Sequence, residues 1–248
     1  MLFRSVACRS ISPGHVRRYA RNSASCVPLI PSHPAVASKI QVFDVTDDIS
    51  SILITMHHII IKRVEDTLEV VESMRLKNTV LMAVKPQVKP GYEKPAAIEI
   101  FLPKSYRNFQ ALSYFNQNDL VWTNEGFYDP VPVSAGEADV QFSYVLDIDS
   151  TALDISKKFS LPTDECALFL ALPEAKPQNL GAAVTSMTWD DGTVYDYYQL
   201  GPRQPGDITN IQLVGFTERK ADLTWIILGL VFLVVIVVVF LRLKTKKT

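Results

Sequence analysis

Adjacent histidines at positions 57 and 58 are the first residues in this sequence whose type and spacing could carry chemistry. Imidazole nitrogens bind metals and exchange protons near neutral pH. His57 and His58 lie in a long β-branched run, where neighbouring side chains point to opposite faces of a strand, so the two rings cannot bind one metal ion together. No second histidine cluster completes a metal site. We therefore interpret the pair as ordinary strand residues.

Cys166 is the second candidate, because it is the only cysteine that lies clearly within the folded region. Cys8 and Cys26 belong to, or directly follow, the basic N-terminal segment, so the sequence predicts no disulfide framework. Cys166 stands in an apolar, strand-like run, which favours a buried structural cysteine. A reactive thiol is the alternative.

Carboxylates form the third candidate group. Asp147 and Asp149 share one face of an extended segment with Asp154 nearby, but the twelve-residue calcium loop with its glycine and terminal glutamate is absent. The sequence also lacks a Gly-x-Ser-x-Gly motif, a phosphate loop and a His-Glu-x-x-His motif. We therefore predict no catalytic, cofactor-binding or metal site and no enzymatic activity, with an enzyme that uses an unrecognised site as an alternative.

Length and charge restrict the function further. The 248 residues allow one domain or two small ones, and the formal net charge is −1. Nucleic-acid binding generally requires a strong cationic field, so the charge argues against a nucleic-acid partner.

The N-terminal segment, 1–36, has the composition of a mitochondrial presequence followed by a flexible stretch. No Asp or Glu occurs before Asp44, and serines are interspersed with the basic residues. The arginines are Arg4, Arg9, Arg17, Arg18 and Arg21. An Arg-rich, Ser-rich and acid-poor segment is typical of a transit peptide. A disordered basic tail and a plastid address are the alternatives.

The C-terminal segment predicts a membrane anchor. Residues 223–241 contain no charge and consist almost entirely of Val, Ile, Leu and Phe. Nineteen residues at the α-helical rise span roughly the 30 Å hydrocarbon core of a bilayer. The basic tail, 242–248, carries Arg242, Lys244, Lys246 and Lys247, which suit contact with lipid headgroups. We expect one transmembrane helix, with membrane lipid as its partner.

Together the two ends predict a single-pass protein of the mitochondrial inner membrane. The side on which the domain lies stays open, because two arguments conflict. The positive-inside rule keeps the basic tail in the matrix and places the domain in the intermembrane space. Presequence-driven import instead threads the domain into the matrix before the apolar segment arrives.

The middle of the chain, 37–217, predicts a mainly β, β-sandwich-like domain. About nine short runs alternate between apolar and polar residues, with turn residues between them, as in sandwiches and barrels. Asp190-Asp191-Gly192 predicts a hairpin turn. The aromatic-rich segment 106–122 is interpreted as core packing, with a binding face as the alternative.

Three segments of the domain resemble a membrane-anchored bacterial envelope module with a carboxypeptidase-regulatory-like β-sandwich. The first, 98–103, is an apolar strand closed by Leu-Pro. The second joins the Pro-Val-rich turn 130–137 to the strand 140–144, and the third is 192–198, with Gly206 before the last strand. The resemblance implies an architecture and a non-catalytic role at a membrane, and it supplies no site residues.

These observations favour a non-catalytic, membrane-anchored interaction module. We expect it to be a subunit or an assembly factor of a mitochondrial inner-membrane complex, with protein partners there. A metal or haem carrier, including a cytochrome-maturation factor, is an alternative based on His57, His58, Cys166 and the aromatic segment.

Overall fold

The computed structural model describes residues 43–217 together with Gly229, Phe232 and Leu233, which are helical. The predicted presequence, 1–36, and the basic tail, 242–248, lie outside the described residues. The predicted anchor, 223–241, also lies outside them, apart from those three positions. None of the helices described is long and apolar enough to span a bilayer.

Residues 43–217 are mainly β, as the alternating runs predict, with one short 3₁₀ helix at Ile49–Ser51 and no α-helix. The first nine strands are β1 (Val45–Thr46), β2 (Ile52–Val64), β3 (Thr67–Asn78), β4 (Ala83–Val84), β5 (Ile98–Phe101), β6 (Tyr106–Ser113), β7 (Val121–Thr123), β8 (Gly126–Asp129) and β9 (Gly136–Asp147). The remaining strands are β10 (Ala152–Asp154), β11 (Lys157–Lys158), β12 (Cys166–Ala171), β13 (Lys176–Pro177), β14 (Thr185–Thr188), β15 (Val194–Gln199), β16 (Ile208–Thr209) and β17 (Gln212–Val214).

The largest sheet has seven strands in the order β14-β15-β12-β2-β3-β9-β6. Its centre is built from the long strands β2, β3 and β9, whose side chains alternate between buried and more exposed positions, apart from a bulge in β2 between Ile54 and Met56, so that one face of the sheet is buried. Neighbouring strands run antiparallel except β12 and β2, which are parallel. The predicted hairpin at Asp190-Asp191-Gly192 is confirmed: it joins β14 to β15, and Gly192 has a positive φ of 80°.

Four smaller sheets complete the domain: β5-β8-β7, β10-β17-β13, β11-β16 and the parallel pair β1-β4. Ile100 of β5, Phe127 of β8, Leu153 of β10 and Leu213 of β17 belong to the same buried cluster as the apolar residues of β2, β3 and β9. The large sheet therefore has an inner face, which shares this core, and an outer face on the opposite side.

Gly126 brings two strands of one small sheet unusually close. Its φ is 143°, and a Cβ atom at this position would lie 2.1 Å from the Ile100 carbonyl oxygen and 3.0 Å from the Leu102 nitrogen. A β-carbon cannot occupy that space without moving backbone. Gly126 therefore allows β8 to pair with β5.

The aromatic segment 106–122 contributes mainly to the core. Phe109 and Phe115 pack with Phe127 and Phe142 at ring-centroid distances of 4.9–6.4 Å. Trp122 contacts Phe109 and Phe127 and is 42% exposed. The packing interpretation explains this segment.

Candidate functional site

Four polar side chains meet inside the core, and we call them the Glu72 cluster. His57 comes from β2, Glu72 from β3, Tyr144 from β9 and Lys157 from β11. Strand alternation sends the first three to the inner face, so Glu72 is buried between the apolar positions that precede and follow it on that face. All four side chains are at most 6% exposed.

The Glu72 carboxylate is the centre of this cluster. The Lys157 ammonium lies 2.8 Å from Oε1 and 2.7 Å from Oε2 of Glu72. His57 Nε2 lies 2.8 Å from Oε2, and the Tyr144 hydroxyl donates to Oε1 at 3.0 Å. Lys157 also donates to the Phe101 carbonyl at 2.8 Å. The cluster therefore connects the large sheet to β11 and to the end of β5.

The charges of the cluster follow from burial and proximity. Burial raises the pKa of Glu72, but the Lys157 charge and the hydrogen bonds from His57 and Lys157 outweigh it and bring the pKa to about 2. Burial lowers the pKa of His57, and the Glu72 contacts only partly oppose that effect. Burial and the Glu72 charge raise the pKa of the Tyr144 hydroxyl well above its ordinary value. At neutral pH the cluster thus contains one carboxylate, one ammonium, a neutral imidazole and a neutral phenol.

The neutral His57 ring has a defined tautomer. Because Nε2 faces a carboxylate, Nε2 carries the proton and donates it to Glu72. Nδ1 is then a lone-pair acceptor, and it has no hydrogen-bond partner within the described part of the chain. The Phe159 ring packs edge-on against the imidazole at 5.8 Å.

The lowered pKa of His57 predicts a stability change in mildly acidic solution. As the pH falls below the unfolded value of about 6.5, the unfolded chain takes up a proton that the folded domain excludes, so the free energy of unfolding decreases until the pH reaches the folded pKa. We expect His57→Gln to remove a slope of up to about 1.4 kcal/mol per pH unit in this window. Urea unfolding measured between pH 5 and 7.5 tests this, and a slope equal to that of the wild type contradicts it. Burial lowers the pKa of His58 as well, but that ring is only partly buried, so we expect His58→Gln to remove less of the slope than His57→Gln.

The structure separates the two histidines, as strand alternation predicts. His57 lies on the inner face, whereas His58 lies on the outer face, 5.0 Å from the Phe169 ring. Cys166 pairs with His57 across the parallel strands β12 and β2 and is fully buried. Burial, with the Glu72 charge, raises the pKa of the Cys166 thiol to about 12, which fits the structural interpretation of this cysteine. Within residues 43–217, no three His, Cys, Asp or Glu side chains form a group that could hold a metal ion.

The acidic candidates belong to strand ends and turns. Asp147 ends β9 and forms an ion pair with Arg107. Asp154 accepts the Ser156 amide at 2.8 Å, and Asp191 accepts the Thr193 amide at 2.9 Å within the β14–β15 hairpin. These contacts match the interpretation of the carboxylates as turn residues.

Sequence reasoning missed the Glu72 cluster, although one signal was present. Glu72 occupies a position in β3 at which alternation predicts an inward side chain, and Lys157 likewise lies between the buried Ile155 and Phe159. A charged residue at a predicted core position needs a partner of opposite charge. Since solvent barely reaches any of the four side chains, the cluster is an internal network that links the large sheet to β11, and it is closed to a substrate in this structure.

A second feature lies on the outer face of the large sheet, and we call it the aromatic surface. It consists of Ile60, Ala167, Phe169, Ala171, Met187, Trp189, Tyr195 and Tyr197. Phe169 lies 5.3 Å from Tyr197 and 6.0 Å from Trp189, and Trp189 lies 4.3 Å from Tyr195. Trp189 is 38% exposed.

The rest of the outer face differs in chemistry. Across β2, β3 and β9 it carries the ion pairs Lys62–Glu69, Arg75–Asp139 and Lys77–Glu137, at 3.0, 3.2 and 3.1 Å. Trp and Tyr are the residues most enriched at the energetic centres of protein interfaces, whereas exposed ion pairs contribute little. The aromatic surface is therefore the part of this face best suited to binding a partner.

The chain matches no known protein-family description and no curated protein sequence at a significant level. For the three segments that resemble an envelope module, the structure therefore supports only that they belong to a mainly β protein with several sheets.

Proposed function

We propose that this chain is a non-catalytic interaction module, anchored in the mitochondrial inner membrane as a subunit or an assembly factor of a complex there. The aromatic surface is the observation that carries the proposal. It places the exposed Trp189 ring and the partly exposed Tyr197 ring over the buried Phe169 ring on the outer face of the large sheet. Such rings supply large contact area at a low cost in conformational entropy.

The buried groups support a non-catalytic role. A general acid or base has to come within hydrogen-bond reach of its substrate. The titratable side chains with the most altered environments, His57, Glu72, Tyr144 and Cys166, all lie in the core, where they contact one another or apolar residues. Burial in the core shifts the pKa values of His57, Tyr144 and Cys166, and the Lys157 charge with hydrogen bonds inside the cluster lowers that of Glu72.

The location in the proposal rests on the sequence of the two ends. The acid-poor, Arg-rich segment 1–36 has the composition of a mitochondrial address, and the uncharged segment 223–241 is long enough to cross a bilayer. An anchor of Val, Ile, Leu and Phe with few small residues offers little for tight helix pairing within the membrane. Partners are therefore met mainly through the β domain.

Native gel electrophoresis of mitochondria solubilised in gentle detergent tests the proposal with the full-length chain. We expect the wild-type protein to fractionate with inner membranes and to migrate well above its monomer size. Trp189→Ser should shift it toward the monomer, because the substitution removes the exposed ring of the aromatic surface.

Leu81→Ser is the matched control, since Leu81 is an apolar side chain that is 91% exposed and lies outside the aromatic surface. We expect this variant to migrate like the wild type. Migration of the wild type at monomer size only, or its recovery from the cytosol with an uncleaved N-terminus, would refute the proposed function.

A further inference from the structure

The two edges of the seven-stranded sheet are built differently. The β6 edge is irregular: its pairing with β9 shifts register twice, Asn108 and Tyr114 have positive φ angles of 52° and 68°, and the strand carries Arg107. Bulges, charges and irregular backbone are the means by which proteins keep an edge from pairing with another chain. The β6 edge is thus protected.

The β14 edge has fewer of these protections, because its backbone irregularity lies just before the strand, where the Val184 amide donates to the Tyr197 carbonyl at 2.8 Å although Tyr197 pairs with Thr185. Its four residues pair with β15 without a register shift. The segment 177–189 contains no charged residue, and Val184, Thr185, Ser186 and Thr188 are exposed. An uncharged and exposed edge strand is a template for strand addition.

The backbone groups available at this edge can be identified. Trp189 donates to the Thr193 carbonyl at 3.0 Å, so this pair is hydrogen-bonded across the hairpin. In an antiparallel pair every second residue is hydrogen-bonded to the partner strand. Met187, two residues before Trp189, therefore directs its backbone N–H and C=O toward β15. Ser186 and Thr188, on either side of it, direct theirs outward. Within the described residues no strand lies on that outer side of β14.

We infer that β14 pairs antiparallel with β14 of a second copy of this chain, which continues the sheet across a two-fold axis at Met187. The inference rests on the interaction role proposed above and names one partner for it. Ser186 of each copy lies opposite Thr188 of the other, and each such pair exchanges both of its N–H···O bonds. The outward groups of both residues are thereby satisfied.

Charge and shape favour a second copy as the occupant. Antiparallel pairing of β14 brings the turn that contains Asp190 and Asp191 of one copy near the uncharged start of β14 in the other, so the acidic residues of the two copies lie at opposite ends of the contact. Met187 is partly buried against the aromatic surface, and pairing brings the two Met187 side chains together. The two aromatic surfaces then join into one, and the contact uses the same residues on both sides, as a two-fold interface requires.

Disulfide crosslinking of the full-length chain in its membrane tests the pairing. In a background in which Cys8 and Cys26 are serine, Met187→Cys places a thiol at the two-fold axis, at a position not hydrogen-bonded to the other copy. The Cα atoms of such a pair are about 4.5 Å apart, which falls within the range for a disulfide. Mild oxidation should give a reducible band of twice the monomer mass.

Leu112→Cys is the matched control, because Leu112 is 49% exposed on the protected β6 edge. We expect no crosslinked dimer from it. Adding Ser186→Pro to Met187→Cys should abolish the dimer, since proline removes the outward amide of Ser186, whereas an edge strand tolerates proline at such a position.

Any of four results would overturn the inference. An absent dimer, a crosslink to a different protein, equal crosslinking from Leu112→Cys, or a dimer that survives Ser186→Pro would each show that β14 does not pair with itself in this register. The failure of this inference can be distinguished from the failure of the proposed function. A large native complex without a Met187→Cys dimer contradicts only the self-pairing of β14. A crosslinked dimer with no larger complex removes the role as a subunit or assembly factor.

Discussion

Lys157→Met is expected to lower the free energy of unfolding by about 3–5 kcal/mol, because it leaves the Glu72 carboxylate buried without its counter-charge. The Lys157 ammonium contacts both carboxylate oxygens and the Phe101 carbonyl, so one substitution removes every contact between β11 and this carboxylate. Methionine keeps most of the side-chain volume, which confines the effect to charge and hydrogen bonding. Urea unfolding followed by tryptophan fluorescence measures the loss.

The neighbouring residue provides a matched control for this prediction. Lys158 also belongs to β11, but it pairs with Glu125 at 3.2 Å on the surface, where the two side chains are 41% and 65% exposed. Lys158→Met should cost less than about 1 kcal/mol. Combining Lys157→Met with Glu72→Gln should recover part of the loss, because no unpaired charge then remains in the core. Equal effects of the two lysine substitutions would contradict the account of the Glu72 cluster.

Gly126→Ala is expected to destabilise the domain by about 3 kcal/mol or more. The added Cβ would lie 2.1 Å from the Ile100 carbonyl oxygen, and neither partner is a flexible side chain that could move aside. β5 and β8 must therefore separate, and Phe127, which is buried in the aromatic core, must move with β8. Thermal unfolding of the purified variant measures the effect.

Gly192→Ala separates the strain of a positive φ from the steric clash. Gly192 has a φ of 80°, but a Cβ there would meet no atom within 4 Å. We expect a cost of about 1–2 kcal/mol from the backbone conformation alone. If Gly126→Ala were no more destabilising than Gly192→Ala, the close approach of β8 to β5 would not be important for stability.

The long strands could be predicted from the sequence because each is long enough to show alternation. Buried and more exposed positions alternate along the 12 residues of β3 and of β9, and along most of the 13 residues of β2, which has a bulge between Ile54 and Met56. Strands of two or three residues, such as β11, β13 and β16, show no period and are defined only by the segments with which they pair. About nine strands were therefore expected, whereas the described residues 43–217 contain seventeen.

The Glu72 cluster could not be predicted from the sequence, because its members come from segments that are far apart in the chain. Glu72 could be recognised as a charge at an inward position, but its partner Lys157 lies 85 residues away in a two-residue strand. Likewise, Cys166 and His57 become neighbours only through the parallel pairing of β12 with β2. The opposite faces of His57 and His58 followed directly from strand geometry, which is why that prediction is confirmed.

The parallel pairing of β12 with β2 also determines when the domain can finish folding. β2 and β3 are adjacent in sequence and can form a hairpin early, whereas β12 joins β2 only after more than 100 intervening residues have been placed. Closing so long a loop costs chain entropy before any contact compensates for it, so topologies of this kind fold slowly. Until residue 171 is available, the outer edge of β2, with its run of isoleucines, has no neighbour and is open to aggregation. A chain that folds in this order benefits from a chaperone that covers β2 during synthesis.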